Sequence, residues 1–400
     1  MIRCHMSAVK SRKILLGITG GIAAYKTPEL IRLIRKSGNE SEIILTQSAK
    51  NFVAPMTLET LSGRKVWTDS DFDSTIPHIT LSKWAEVFVI SPCTANTLAK
   101  ISHGIADNLL TSAVIASKCP VLIFPAMNEN MYDNPATQAN ISALKSRGLK
   151  VVEPSSGELA CGVYGKGRMP EPHDIMHEIR RALTPHDMAG KRVVVTAGPT
   201  HEYIDPVRYI SNPSSGKMGT AMARSAWYRG AEVRLIAGPV DVDSYGMTLI
   251  RAESAGDMLD AVMESLSWAD YVVKAAAVGD YRAKEISPAK LKREGRDSLT
   301  LELVQNPDIS AEAGRLKRPG QILIGFAAET DNITENARAK IVRKNLDYIL
   351  ANDVTGENSG FRSDSNTLKL IPRSENEAVQ TFSGLKEDIA FEIWSRIIAC

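Results

Sequence analysis

Cys161 is set apart from the other thiols of this 400-residue chain by its neighbours, Gly157, Gly162, Gly165 and Gly167. A thiol on a glycine-rich loop that closes over a bound intermediate can exclude water and deliver a proton. A lone cysteine is also often purely structural, and so is a lone histidine such as His78. Polar side chains that could hold a small ligand gather in Ser91-Pro92-Cys93-Thr94-Ala95-Asn96-Thr97 and around Asn128. Met127 and Met131, beside Asn128, read as core filling. Lys340 and Lys344 stand i,i+4 on one helix face, where two ammonium groups either converge on a polyphosphate or decorate a solvated surface. His173 and His177 share that spacing, but no acid follows His173 as in HExxH, so they read as a solvated face rather than a metal site.

Most of these groups follow a strand. An apolar run over 14–18 breaks at Gly20-Gly21 and continues from Ile22 as a helix ending at Gly38. The turn is neither GxGxxG nor GxxxxGK[ST], and either a phosphate on its exposed amides or no ligand at all satisfies it. Strands over 42–46, 87–90 and 121–124 follow, the last two leading into the polar segments above. The pattern restarts at 193–197, breaks at Gly198-Pro199, and resumes after Ser214-Ser215-Gly216 as a helix over 217–229. Further strands over 232–237, 271–276, 322–327 and 348–351 alternate with helices over 255–267 and 333–344. A strand over 366–371 and a helix over 387–398 close the chain. Such alternation predicts an α/β protein with two tandem doubly wound, Rossmann-like domains. The Pro- and Gly-punctuated stretch 184–190 is the linker. The expected divisions are residues 1–12, which fray, a domain over 13–188 and a second over 189–400. The basic run 290–296 reads as a polar loop or arm.

Apolar content of 44%, charged content of 24% and a formal charge of +2 give no basic excess for nucleic acid. The cysteines, Cys4, Cys93, Cys119, Cys161 and Cys400, are odd in number and form no CxxC pair, a pattern of reducing compartments. No apolar run approaches the ~18 residues of a membrane span. The expectation is a cytoplasmic protein with small-molecule partners and neither nucleic acid nor membrane.

The segments GITGGIAAYKTPEL, PHITLSKW and PAMNENMY resemble the flavin-dependent cysteine decarboxylase family. The segments DPVRYISNPSSGKMG, AAAVGDYR and NPDI resemble phosphopantothenate–cysteine ligase. Fused in this order, they resemble the bifunctional bacterial enzymes of coenzyme A synthesis over residues 13–397.

The resemblance implies FMN held by Gly20, Gly21 and Ile22, with Thr46, Thr94 and Asn96. It implies His78 as base or substrate-positioning group, Asn128 on the substrate carboxylate, and Cys161 as proton donor on a mobile flap. In the second half it implies CTP as cosubstrate, with Lys290, Lys340 and Lys344 on its phosphates and Asp280 on the ribose or a bound Mg2+. The backbone of Lys274, Ala275 and Ala276, with Pro307, Asp308, Ile309, Ser310 and Phe326, frames cytosine and ribose. Asn212 engages an acyl-cytidylate, and Lys290 stabilises charge in its formation. A homo-oligomer with the decarboxylase site between protomers is implied as well. Pro77, Glu86, Cys93 and Gly279 depart from the commoner residues, and Cys93 adds a second oxidisable thiol near the flavin. Two other classes remain: a non-catalytic flavoprotein, against which the retention of His78 and Cys161 argues, and an NAD(P)-dependent dehydrogenase, against which the missing GxGxxG argues.

Overall fold

The structure, a computed structural model, describes residues 11–73, 76–158, 162, 164–292, 298–329, 333–353 and 363–399. The expected fraying of the N-terminus therefore falls almost wholly outside the described residues, and Cys161 does too. The chain divides into two compact units, Met1–Thr184 and Pro185–Cys400.

The first unit is built on six parallel strands: β1 (Lys13–Ile18), β2 (Glu40–Leu45), β3 (Val66–Trp67), β4 (Val87–Cys93), β5 (Val121–Pro125) and β6 (Lys150–Val151). Their order, β3-β2-β1-β4-β5-β6, reverses direction between β1 and β4, the place where open α/β sheets leave a crevice at the carboxyl edge. Side-chain alternation along β1 explains its unbroken apolar run. Ile14, Leu16 and Ile18 pack on α1 (Thr27–Lys36), α2 (Pro55–Ser62) and α8 (Pro172–Leu183). Leu15 faces the other side, with α3 (Pro77–Trp84), α4 (Ala95–His103), α5 (Leu109–Ala116) and α7 (Pro135–Ser146). A strand covered on both faces has no polar side to show. A short helix, α6 (Glu129–Asp133), follows β5, and an antiparallel hairpin, β7 (Ser155–Glu158) with β8 (Tyr164–Arg168), precedes α8.

Three expectations change here. The strand expected over 87–90 runs on to Cys93, through the cis Ser91–Pro92 bond. His177 is 6% exposed and meets His173 edge to face, so it is not part of a solvated face. Met131 is exposed rather than core filling.

The second unit repeats the plan with additions. Its strands are β9 (Arg192–Ala197), β10 (Glu202–Tyr203), β11 (Tyr209–Ile210), β12 (Glu232–Ala237), β13 (Thr248–Arg251), β14 (Tyr271–Lys274), β15 (Tyr281–Ala283), β16 (Leu303–Gln305), β17 (Ile322–Glu329), β18 (Tyr348–Asp353), β19 (Ser365–Pro372) and β20 (Gln380–Leu385). The main sheet has the order β13-β12-β9-β14-β17-β18-β19-β20. Its first six strands are parallel and again reverse beside the first, while β19 and β20 join antiparallel. Helices α9 (Lys217–Tyr228) and α13 (Lys386–Ile398) cover one face. Helices α10 (Ala255–Leu266), α11 (Ile309–Leu316) and α12 (Ile333–Arg343) cover the other.

The connection from β9 to α9 is far longer than a phosphate loop and holds the β10–β11 hairpin. Gly219 then seats the helix on the strand end: a Cβ there would lie 2.7 Å from Ala197 Cβ and 2.8 Å from Thr196 O. Of the basic run, residues 290–292 are described and follow β15, which pairs antiparallel with β16 to form the base of an arm; 293–296 lie outside the described residues. No helix among the described residues is long and apolar enough to cross a membrane.

Candidate active sites

In the first unit, Thr19 organises the carboxyl edge. Its buried Oγ1 donates to Pro92 O at 2.8 Å and accepts from Thr94 N at 3.0 Å, tying the ends of β1 and β4 together. Gly20 admits the neighbouring turn, because a Cβ there would sit 2.4 Å from Ser48 Oγ. Thr46 N and Oγ1 both donate to Ile18 O, at 3.1 and 3.3 Å, so the end of β2 joins the same point. A Cβ at Gly21 would reach Thr94 Cγ2 at 3.6 Å. Thr94 caps α4, its Oγ1 accepting from Thr97 N at 3.3 Å. Asn96 lies exposed in that first turn, where helical amides lack intrahelical acceptors. Ile22, which opens a 3-10 turn, is 57% exposed.

The structure thus brings Gly20, Gly21, Thr46, Thr94 and Asn96 to one edge fit for an anionic ligand. Thr19 was missed in the sequence; its signal is a hydroxyl directly before the glycine pair. Cys93 does not fill the role of a second oxidisable thiol: it is fully buried, and desolvation pushes its pKa well above the usual thiol range.

Asn128 and the hairpin meet beside this edge. Asn128 caps α6, its Oδ1 accepting from Asn130 N at 2.9 Å. Ala126 N donates to Cys93 O and Met127 N to Gly167 O, both at 3.0 Å. Gly167 has φ +134°, and a Cβ there would lie 2.1 Å from Met127 O; one at Gly165 would lie 2.3 Å from the Glu129 carboxyl carbon. Within the glycine-rich stretch that the sequence suggests as a loop, these two glycines belong to β8 and are close-packing contacts. Glycine leaves room for β8 to lie on the Asn128 loop. His78 is half-buried in the first turn of α3, which packs on α5.

In the second unit, two fully buried hydroxyls hold the loop after β14. Thr196 Oγ1 accepts from Ala276 N at 3.1 Å and Thr200 Oγ1 from Gly279 N at 3.0 Å. Asn212 Nδ2 donates to Ala277 O and Val278 O, both at 3.2 Å, so Asn212 lies against the same loop. Asp280 is exposed beyond it, and its carbonyl accepts from Asn306 N at 2.9 Å, which brings the 306–310 segment alongside. Asp308 caps α11 and pairs with Lys344 Nζ at 2.9 Å.

The other expected groups divide between the two sheet faces. Ala275 and Phe326 pack toward the α9 and α13 face, Ala276 toward the α10–α12 face. Pro307 is exposed and Ser310 half-buried. Ile309 is buried in the core at 3% exposure, so its contribution to a ligand would come from its backbone. Lys340 lies on α12, half-buried, and Lys344 N–H donates to its carbonyl just past the helix end.

Lys290 is exposed on the arm, and Asp205 positions it. The Asp205 carboxylate is fully buried and accepts from Val207 N and Arg208 N at 2.8 Å and from Leu291 N at 3.2 Å. Arg208 Nη2 donates to Leu291 O at 2.8 Å. Burial raises the Asp205 pKa, but the three backbone donors and the Arg208 guanidinium outweigh it and leave the carboxyl below its ordinary value. The sequence signal for this anchor is the carboxylate opening the DPVR segment.

Residues 3–184 match the family model described as Flavoprotein, and residues 188–400 the model described as DNA/pantothenate metabolism flavoprotein C-terminal domain. The chain is similar to the coenzyme A biosynthesis bifunctional protein CoaBC of Vibrio parahaemolyticus, with 42% identity over 398 residues, covering 98% of this chain and 99% of that protein. The Bacillus subtilis protein of the same name is 42% identical over 399 residues, covering 98% of each. A crystal structure of the C-terminal domain of CoaBC is 38% identical, covers 54% of this chain and 97% of its own, and has a TM-score of 0.45.

Two variants test these positions. Gly167→Ala should cost about 1–3 kcal/mol in urea unfolding, because the new Cβ strikes Met127 O. It should also strip hydrogen-exchange protection from the Met127 amide while the β1 amides keep theirs; an unchanged Met127 would refute the packing role. For Asp205 the sign follows from a lowered folded-state pKa. Its stabilisation is complete above the unfolded value of ~3.9 and fades as pH falls through the lower folded value. The stability gap between wild type and Asp205→Ala should therefore be flat above about pH 5 and shrink below about pH 4. Trypsin should also cut at Lys290 and Lys292 faster in the variant; equal cutting would mean that Asp205 does not hold the arm.

Proposed function

We propose a division of chemistry for this chain, which belongs to the family of bifunctional coenzyme A biosynthesis proteins. It is an enzyme with phosphopantothenate–cysteine ligase and phosphopantothenoylcysteine decarboxylase activities. The observation that carries the reading is one alignment at 42% identity running through both units and 98% of the chain. The second unit, residues 189–400, takes the ligase step and residues 13–188 the decarboxylation.

In the ligase unit a carboxylate must first acquire a leaving group. The carboxylate of 4′-phosphopantothenate attacks the α-phosphate of CTP, pyrophosphate departs, and the cysteine amine then displaces CMP. Lys290, Lys340 and Lys344 offset the charge that grows on the phosphates. Asp280, exposed beside the 275–279 loop, would hold Mg2+ against them. The backbone of residues 274–276 and 307–310, with Phe326, frames the base and ribose, and Asn212 holds the acyl-cytidylate over that loop.

The first unit fits FMN: Gly20 and Gly21 let the backbone approach closely, and Thr46, Thr94 and Asn96 supply polar groups at the α4 N-terminus. FMN, when bound there, supplies a two-electron acceptor that returns the electrons after CO₂ is lost, so no net oxidation results. Asn128 holds the substrate carboxylate, His78 positions or deprotonates the substrate, and Cys161 delivers the last proton. Ile22, Tyr25 and Met56 are 57%, 60% and 76% exposed. They form an apolar surface near the first glycine turn for a second protomer to cover, in a cytoplasmic homo-oligomer.

The test is product analysis with 4′-phosphopantothenate, L-cysteine and CTP, expected to give CMP, pyrophosphate, CO₂ and 4′-phosphopantetheine. Lys290→Gln should cut pyrophosphate release by ~10²–10³ even without cysteine; normal release with failed cysteine capture would move Lys290 to the second half-reaction. Cys161→Ser should release CO₂ yet stall at an oxidised aminoenethiol, because serine is a far weaker acid than a thiol of pKa ~8.5. Multiple turnover by that variant would exclude proton donation.

A further inference from the structure

Lys274 presents a charge problem that the rest of the ligase unit does not. It ends β14 with its side chain 6% exposed, on the face shared with Val272, and its Nζ has no hydrogen-bond partner among the described residues. A buried ammonium without a partner is costly, and losing its proton removes most of that cost. Burial lowers its pKa to about 7, with Lys344 adding to the shift and Asp308 opposing it.

Those two are the charged groups that act on it. Its register neighbours are Thr196 on β9 and Gly325 on β17. The buried faces of α10, α11 and α12 contribute apolar residues such as Met258, Val262, Ile309, Ala313 and Ile341.

Asp308 is already committed. Its Oδ1 accepts from Ala311 N at 3.1 Å, and its two oxygens lie 2.9 and 3.2 Å from Lys344 Nζ. Gly314 makes this approach possible, since a Cβ there would sit 1.9 Å from Lys344 O. The Asp308 charge acts on both amines, and Lys344 is the one in contact with it.

We propose that a nucleoside triphosphate binding at Lys344 hands the Asp308 carboxylate to Lys274, which takes one proton from solvent. The inference rests on the ligase reading above. The balance is simple: Lys344 remains an ammonium and exchanges carboxylate for phosphate, while the Lys274 amine gains H⁺ and becomes the new partner of Asp308. The site gains one positive charge as the polyanion arrives. Lys274 is thus a positioning residue: it restrains Asp308, and with it the head of α11, once the ligand has drawn Lys344 away.

The experiment is titration calorimetry of the full chain with CTP and Mg2+ at pH 8, in buffers of different ionisation enthalpy. With the free amine titrating near 7, wild type should take up about 0.5–0.9 proton per CTP bound. Lys274→Met keeps length and burial without titrating, and should bind CTP with uptake near zero. The difference between the two slopes removes protons that belong to the ligand itself. Asp308→Asn keeps the helix cap and should also lose the uptake, which keeps the test decisive if Lys274→Met does not fold. Equal uptake in wild type and variants, or CTP binding by wild type without uptake, overturns the proposal while leaving the ligase reading intact. No CTP binding by wild type removes both.

Discussion

A buried threonine hydroxyl at the end of the first strand is the interaction on which each site depends. In the first unit Thr19 bonds both Pro92 O and Thr94 N; in the second, Thr196 accepts from Ala276 N. Each bridges the two strands between which the sheet order reverses, and each is at most 1% exposed. A single such bond contributes about 1 kcal/mol net, whereas stranding its buried partners costs about 1–3 kcal/mol each. Those costs fall just past the ladders that join the two strands, where the loops begin. Everything placed on those loops, Gly20 and Thr94 in one unit and residues 275–280 in the other, inherits its position from that bridge.

Close approach is the second common device. Gly20 against Ser48, Gly167 against Met127 O, Gly219 against Thr196 O and Gly314 against Lys344 O all mark places where a methyl group would push two elements apart. The contacts fall at the first glycine turn, the β7–β8 hairpin, a helix start and the lysine that pairs with Asp308. Glycine serves here by its lack of volume more than by its freedom to move.

The two units solve opposite charge problems. The first gathers neutral donors, hydroxyls and helix amides, and buries its nearby Cys93 in protonated form. The second holds its cations by separate devices, and Lys344 acts unfavourably on the charged form of Lys274. The arm of Lys290 is anchored through Asp205, Lys344 is paired with Asp308, and Lys274 is placed where its proton is weakly held.

The sequence by itself determined the architecture. β-branched and leucine-rich runs at regular spacing, each followed by a turn and an apolar-periodic segment, can only be buried as parallel strands covered by helices. The resemblance of its motifs also named candidate groups, many of which the structure gathers at the carboxyl edges of the two sheets. Tertiary structure alone decided what depends on distance between segments far apart in the chain. Nothing local to Gly165 or Gly167 tells a hinge from a packing contact; only the nearness of Glu129 and Met127 does. Nothing local to Val273-Lys274 says that the lysine is enclosed, since the helices on its face are α10, which precedes it, and α11 and α12, which begin at Ile309 and Ile333. The Asp205 link to Leu291 spans 86 positions, and β19 and β20 could add antiparallel only once β18 offered a free edge. Periodicity reports which face of an element is buried; it carries no record of what buries it.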